Sequence, residues 1–173
     1  ASYLSEFPAS DDVCLYLRVF LPTLAQGTTR EVVRAAVRET AAKLKLGHKP
    51  LPRVEILADE IAPVDLPRLY KAVDCLVAPS RGEGWGRPLH EAMLMELPVI
   101  GTNWSANTEF MNPANSYLLD YELVEAAPLE REQSHVLGHR WAEPSGTHLR
   151  QLMRRVFEQR EEGRERGRIA RAN

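Results

Sequence analysis

Cys75-Leu76-Val77-Ala78, Pro79-Ser80-Arg81-Gly82-Glu83-Gly84-Trp85-Gly86-Arg87, Pro88-Leu89-His90-Glu91-Ala92-Met93 and Leu97-Pro98-Val99-Ile100-Gly101 decide the fold. Read in order they predict a strand, a glycine-rich turn, a helix and another strand. The first run is short, apolar and β-rich, bounded by turn residues. Pro88 is a favoured first helical residue, because its missing N–H is one that a helix leaves unbonded there anyway. A strand that reaches the next strand through a helix builds a parallel sheet.

The same alternation extends to both sides. Upstream, Val13-Cys14-Leu15-Tyr16-Leu17-Arg18-Val19-Phe20 reads as a buried strand between Asp11-Asp12 and Pro22. Thr28 and Glu31 have the spacing of a capping box ahead of Val32, Val33, Ala36, Val37, Ala41 and Leu44, which line one helix face that Gly47 can close. Val54-Glu55-Ile56-Leu57 is a short strand, and Asp65 caps a short helix with Leu66, Leu69, Tyr70 and Val73. Downstream, Asn103 to Met111 reads as a short polar and helical stretch before Tyr117-Leu118-Leu119. About two dozen irregular residues then lead to an amphipathic helix bearing Leu149, Leu152, Met153, Val156 and Phe157. Glu158 to Arg171 mixes Glu and Arg and reads as a solvated helix end fraying into a tail. The expected class is α/β, a Rossmann-like, doubly wound parallel sheet over residues 1–157, with 158–173 as the charged end.

At 173 residues the chain is one domain or a piece of a larger protein, by the usual span of roughly 100–200 residues per domain. Twenty-two Lys and Arg against 24 Asp and Glu leave a net charge of −2, which disfavours a nucleic-acid partner held by bulk positive charge. No apolar run approaches the roughly 18 residues of a membrane span. Cys14 and Cys75 each sit in an apolar run, so they read as core thiols in a reducing compartment, and the expected localisation is cytoplasmic.

In open α/β sheets ligands bind beyond the carboxyl ends of the strands, where helix N-termini favour anions. The turn from Pro79 to Arg87 lies at such a place. Gly82, Gly84 and Gly86 let backbone approach a ligand closely. Glu83 and Glu91, eight apart, bracket the turn. Carboxylates beside an anion-binding backbone suit a ligand that is both anionic and polyhydroxylated, since a carboxylate accepts from adjacent hydroxyls as neither an N–H nor a Lys can. The competing reading from spacing alone is that Glu91 only complements a helix dipole and the glycines only turn the chain.

Ser80 to Met93, followed by Leu97-Pro98-Val99-Ile100, resembles the Glu-x7-Glu signature of the retaining glycosyltransferases of family 4, in the C-terminal donor domain of the GT-B fold. Leu66 to Asp74, Thr102 to Phe110 and Trp141-Ala142-Glu143-Pro144 are similar to flanking segments of that family. The resemblance implies transfer of a sugar from a nucleoside diphosphate donor to an acceptor hydroxyl with retained configuration. It implies that Glu83, the catalytic candidate, lies against the donor sugar and that Glu91 holds the ribose hydroxyls. Gly84, Trp85 and Gly86 meet sugar and diphosphate on this reading, and Ile61 marks the loop that sandwiches the base. No metal or other cofactor is implied, because helix dipole and basic residues meet the diphosphate charge.

The departures are Glu96 and Ala106, where the family usually carries Gly, and the absence of an Arg-x(4 or 5)-Lys-Gly stretch before Asp11. Ala1 to Phe7 resembles the end of a helix whose preceding strand is missing. The chain is therefore expected to be a donor domain lacking its first strand and helix and the acceptor-binding N-terminal domain, inactive by itself. The alternative is a degenerate, non-catalytic nucleotide-sugar-binding or interaction module. A nicotinamide-binding domain fits poorly: Gly82-x-Gly84-x-Gly86 is not G-x-G-x-x-G, and no acidic residue follows Gly101-Thr102-Asn103 to hold an adenosine ribose. His135 and His139 are four apart, but Gly138 interrupts the helix a zinc pair needs there. Trp85 is as well placed to anchor the core as to meet a sugar.

Overall fold

The computed structural model describes residues 1–19, 26–46, 49–126 and 138–172. It divides into two compact units, Ala1–Asp65 and Leu66–Asn173.

In the first unit, helix α1 (Ser2–Glu6) precedes strand β1 (Cys14–Arg18), helix α2 (Gln26–Lys43) and strand β2 (Arg53–Leu57). Strands β1 and β2 pair in parallel, Cys14 opposite Arg53 through Arg18 opposite Leu57. Tyr3, Leu4 and Phe7 are buried, and the Tyr3 hydroxyl donates to the Arg53 carbonyl at 2.8 Å, tying α1 to β2. Burial pushes the Tyr3 hydroxyl pKa up to about 12.

Two expectations here change. Thr28 lies inside α2 and does not cap it, since the helix already runs from Gln26. Lys45, at φ 57°, ends the helix. The amides of Lys45 and Leu46 return to the carbonyls of Ala42 and Ala41 at 2.9 and 3.0 Å, the paired bonds of a Schellman motif. Gly47, expected in that role, lies outside the described residues, as do Phe20, Pro22 and His135.

In the second unit, helix α3 (Leu66–Lys71), strand β3 (Leu76–Ala78), helix α4 (Arg87–Leu94), strand β4 (Val99–Thr102) and strand β5 (Tyr117–Leu119) follow in order. Strands β3, β4 and β5 form a parallel sheet in that order, with Val77 opposite Ile100 and Ile100 opposite Tyr117. All four residues of β4 are buried, as a central parallel strand requires. Leu89, Ala92 and Met93 of α4 form the core with Leu97, Val99, Tyr70 and Met111. The fold is α/β with parallel sheets, as the alternation of elements predicts.

The irregular stretch expected after β5 contains two strands, β6 (Tyr121–Glu125) and β7 (Arg140–Pro144), paired antiparallel from Tyr121–Pro144 to Glu125–Arg140. Helix α5 (Gly146–Glu158) opens with the Ser145 hydroxyl accepting from the His148 amide at 3.2 Å. The charged end is ordered, contrary to expectation: helix α6 (Arg160–Ala172) buries Gly163, Gly167 and Ala170. These small residues form an inward face, while Glu162 joins Arg155 and Arg166 in ion pairs at 2.7 and 2.8 Å. Cys14 and Cys75 are free thiols, each partly buried as a residue, and burial pushes the Cys75 thiol pKa up to about 12, as the core-thiol reading expects. Among the described residues, no helix is long and apolar enough to cross a membrane.

Candidate functional site

The loop between β3 and α4 carries Glu83, Gly84, Trp85 and Gly86, and Glu91 follows one turn into α4. All five lie in the second unit, whereas Ile61, half-buried, belongs to the first. Only one loop glycine is demanded by the chain itself. Gly86 caps α4 at φ 81°, and a Cβ there would stand 3.0 Å from Leu89 Cδ1 and 3.3 Å from Asn107 Cβ. A Cβ on Gly82 or Gly84 would meet nothing within 4 Å, so at those positions the expected constraint on backbone conformation is absent and the loop faces open space.

Below Gly86 the first-turn amides of α4 have no intrahelical acceptor, which is the general basis of anion binding at such an end. Glu91 is held from two sides. Its Oε2 accepts from the Tyr70 hydroxyl at 2.9 Å, and Arg87 Nη2 lies 3.5 Å from Oε1. Its side chain is 34% exposed, so the carboxylate is oriented by protein yet still reachable.

Trp85 is not a core anchor. The side chain is 47% exposed, and its Nε1–H donates to His90 Nδ1 at 3.1 Å. The rings of Trp85 and His90 both lie against Phe110, with centroids 5.4 and 4.9 Å away. The result is an aromatic wall beside the glycine turn, with an indole face in solvent.

The loop after β4 is stitched to this turn by two hydroxyls. Thr102 Oγ1 donates to the Ser80 carbonyl at 2.7 Å. Ser105 Oγ donates to the Glu83 carbonyl at 2.7 Å and accepts from the Glu83 amide at 3.2 Å. Ser105 adopts φ 73° and ψ −163°, a region almost reserved for glycine, at a cost of about 1–3 kcal/mol. Bonds around it oppose that strain: Thr108 Oγ1 donates to the Ser105 carbonyl at 2.7 Å, and buried Asn107 donates to the Thr102 carbonyl at 2.8 Å. On the other side, the Ala142 amide of β7 donates to the Arg81 carbonyl at 3.1 Å, and Arg81 Nε pairs with Glu143 at 2.8 Å.

Tyr70 and Ser105 are the residues that motif reading misses. Both stand in segments flanking the motif, but their contacts span 21 and 22 residues and leave no periodic trace. Among the described residues no cluster of three or more His, Cys, Asp or Glu could hold a metal.

Comparison with known proteins addresses this geometry. A search of curated proteins finds no match. Among solved structures the chain is similar to Anabaena HepE in complex with UDP and glucose, with TM-score 0.59 and 19% identity, over 92% of this chain and 34% of that one. It is also similar to sucrose-phosphate synthase from Thermosynechococcus elongatus, with TM-score 0.60 and 18% identity, over 96% of this chain and 41% of that one. The chain thus spans about a third to two-fifths of the length of these proteins. At such identities the likeness shows the fold, that of GT-B glycosyltransferase C-terminal domains. The family model described as "Glycosyl transferases group 1" matches residues 2–130, which include α1 through β6 and the whole glycine turn. The chain belongs to the group 1 glycosyl transferases.

Proposed function

We propose that this chain is the donor-binding part of a retaining glycosyltransferase of the family 4 type, taking a nucleoside diphosphate sugar. The observation that carries the reading is the oriented Glu91 carboxylate, fixed by Tyr70 and Arg87 one helical turn behind the Gly86 cap. A preoriented acceptor of this kind suits two adjacent ribose hydroxyls, while the amides at the start of α4 suit the diphosphate. Glu83 lies against the donor sugar, where a carboxylate stabilises the positive charge that develops as the leaving group departs. The open side of Gly84 and the exposed indole of Trp85 meet the sugar. No metal takes part. Transfer needs an acceptor-binding region outside these 173 residues, so the chain binds donor without transferring it. The UDP and glucose bound to HepE, similar to this chain in fold, make a uridine donor a natural first probe.

Titration calorimetry with UDP-sugars, GDP-sugars and NAD tests the reading against a Glu91→Ala variant. A hydrogen bond to a charged group contributes about 1.5–3 kcal/mol, so the variant should bind its nucleotide sugar at least about tenfold more weakly. Equal binding by both proteins, or no nucleotide sugar bound at millimolar concentration, overturns it.

A further inference from the structure

We propose that Ser105 is a positioning residue that fixes the backbone of Glu83 and thereby sets how tightly the sugar half of the donor is held. The inference deepens the donor-site reading above and rests on it. A serine hydroxyl has one proton to give and lone pairs to accept with. Ser105 Oγ uses both on one residue, donating to the Glu83 carbonyl at 2.7 Å and accepting from its amide at 3.2 Å. The peptide groups on both sides of Glu83 are therefore fixed from a single atom. Gly82 and Gly84 flank Glu83 without packing constraints of their own, and the other ties described for the turn are made earlier in it, at the Ser80 and Arg81 carbonyls and the Arg81 side chain.

The conformation of Ser105 adds an independent argument. At φ 73° and ψ −163° glycine would be the unstrained choice. A serine is nevertheless held there by Thr108 and by its own bonds to Glu83. Backbone strain and the hydroxyl clamp therefore reside in one residue and can be removed separately. Glycine at this position removes the strain and the clamp together, whereas alanine removes only the clamp.

Ser105→Ala and Ser105→Gly therefore distinguish positioning from packing. Three readouts apply to the chain and both variants: thermal midpoint, exchange of the Glu83 amide proton, and the affinity ratio of UDP-glucose to UDP, with GDP-mannose to GDP as the second pair. The Glu83 amide should exchange at least tenfold faster in both variants, and the sugar ratio should fall at least threefold in both. Nucleoside diphosphate affinity should stay within twofold. The thermal midpoint should fall in Ser105→Ala and recover in Ser105→Gly. A sugar ratio that recovers with the midpoint in Ser105→Gly overturns positioning, because binding would then follow stability. Unchanged exchange at Glu83 overturns the clamp itself. Absence of nucleotide binding by the unmodified chain defeats the donor-site reading and with it the sugar part, while the exchange measurement still decides the clamp.

Discussion

Glu96 and Ser105 both hold a left-handed backbone in the second unit without being glycine, at φ 60° and 73°, and they do so for different ends. Glu96 terminates α4: its amide and that of Leu97 return to the carbonyls of Met93 and Ala92, each at 3.0 Å, closing a Schellman motif. Its carbonyl then forms the floor on which Gly167 of α6 rests. Ser105 terminates nothing and supports no helix; its strain holds a hydroxyl against Glu83. One left-handed residue docks a helix and the other braces the Glu83 turn that we propose to hold the donor sugar, so substitutions at the two places should separate stability from ligand binding.

The packing side breaks most easily at Gly167. A Cβ there would stand 2.0 Å from the Glu96 carbonyl oxygen and 2.7 Å from its carbon, backbone atoms that cannot rotate away. Gly167→Ala must push α6 off the α4–β4 turn, at a cost of about 3 kcal/mol. At roughly 2–4 °C per kcal/mol for a chain of this size, the thermal midpoint should drop by about 6–12 °C. Nucleotide affinity of the folded fraction should not change. A midpoint within about 2 °C of the parent would show that the seam is looser than described.

This seam also shows where sequence reading stops. The buried, apolar positions of α4 and β4 stand out by period and by β-branched content, and with Pro88 and the glycine turn they mark the strand–turn–helix unit that carries the candidate site. The inward face of α6 is invisible to that method, because Gly163, Gly167 and Ala170 pack through smallness and carry little hydropathy signal. Strands β6 and β7 hide for another reason. Glu122, Glu125, Arg140 and Glu143 interrupt the apolar pattern, and the partners lie up to 23 residues apart, Tyr121 to Pro144. Lys45 and Glu96 end helices where glycine is the usual signal. At the candidate site the spacing of Glu83 and Glu91 about the glycine turn marks the place and only the family resemblance gives those residues roles, while the contacts of Tyr70 and Ser105 span 21 and 22 residues and leave no trace in the motif.

A second way to load the packing side is acid. Burial alone would push the Glu162 carboxyl up, but hydrogen bonds and charge from Arg155 and Arg166 outweigh it and hold the group below its ordinary value of 4.5. A depressed carboxyl stabilises the fold above its unfolded-state pKa, and that stability is lost as pH falls through the folded-state value. Glu162→Gln should cost about 1.5 kcal/mol at pH 7, since a neutral amide loses the charge that strengthens the three hydrogen bonds from Arg155 and Arg166. The variant should then lose less further stability than the parent between pH 5 and about pH 3. Parallel losses in urea titrations at the two pH values would remove Glu162 from the account of how α5 and α6 hold together.

The smallest effect sharpens the comparison most, because it is a change of sign. Glu96→Gly relieves a left-handed residue, a gain of about 1 kcal/mol. It also deletes the ion pair to Arg171 at 3.0 Å, whose partners are 61% and 44% exposed and which contributes under about 1 kcal/mol. The net should be a midpoint about 1–2 °C higher, whereas Glu96→Ala keeps the strain, loses the pair and should fall by a similar amount. Ser105 should give the same order, glycine above alanine, in thermal midpoint. The two sites part company in binding: glycine at 96 leaves nucleotide-sugar affinity unchanged, since Glu96 touches the α6 seam, while glycine at 105 frees the backbone of Glu83. If Glu96→Gly altered the sugar ratio as Ser105→Gly does, the turn that docks α6 and the loop that presents Glu83 would have to be one mechanical element, and the division of labour between the two left-handed residues would fail.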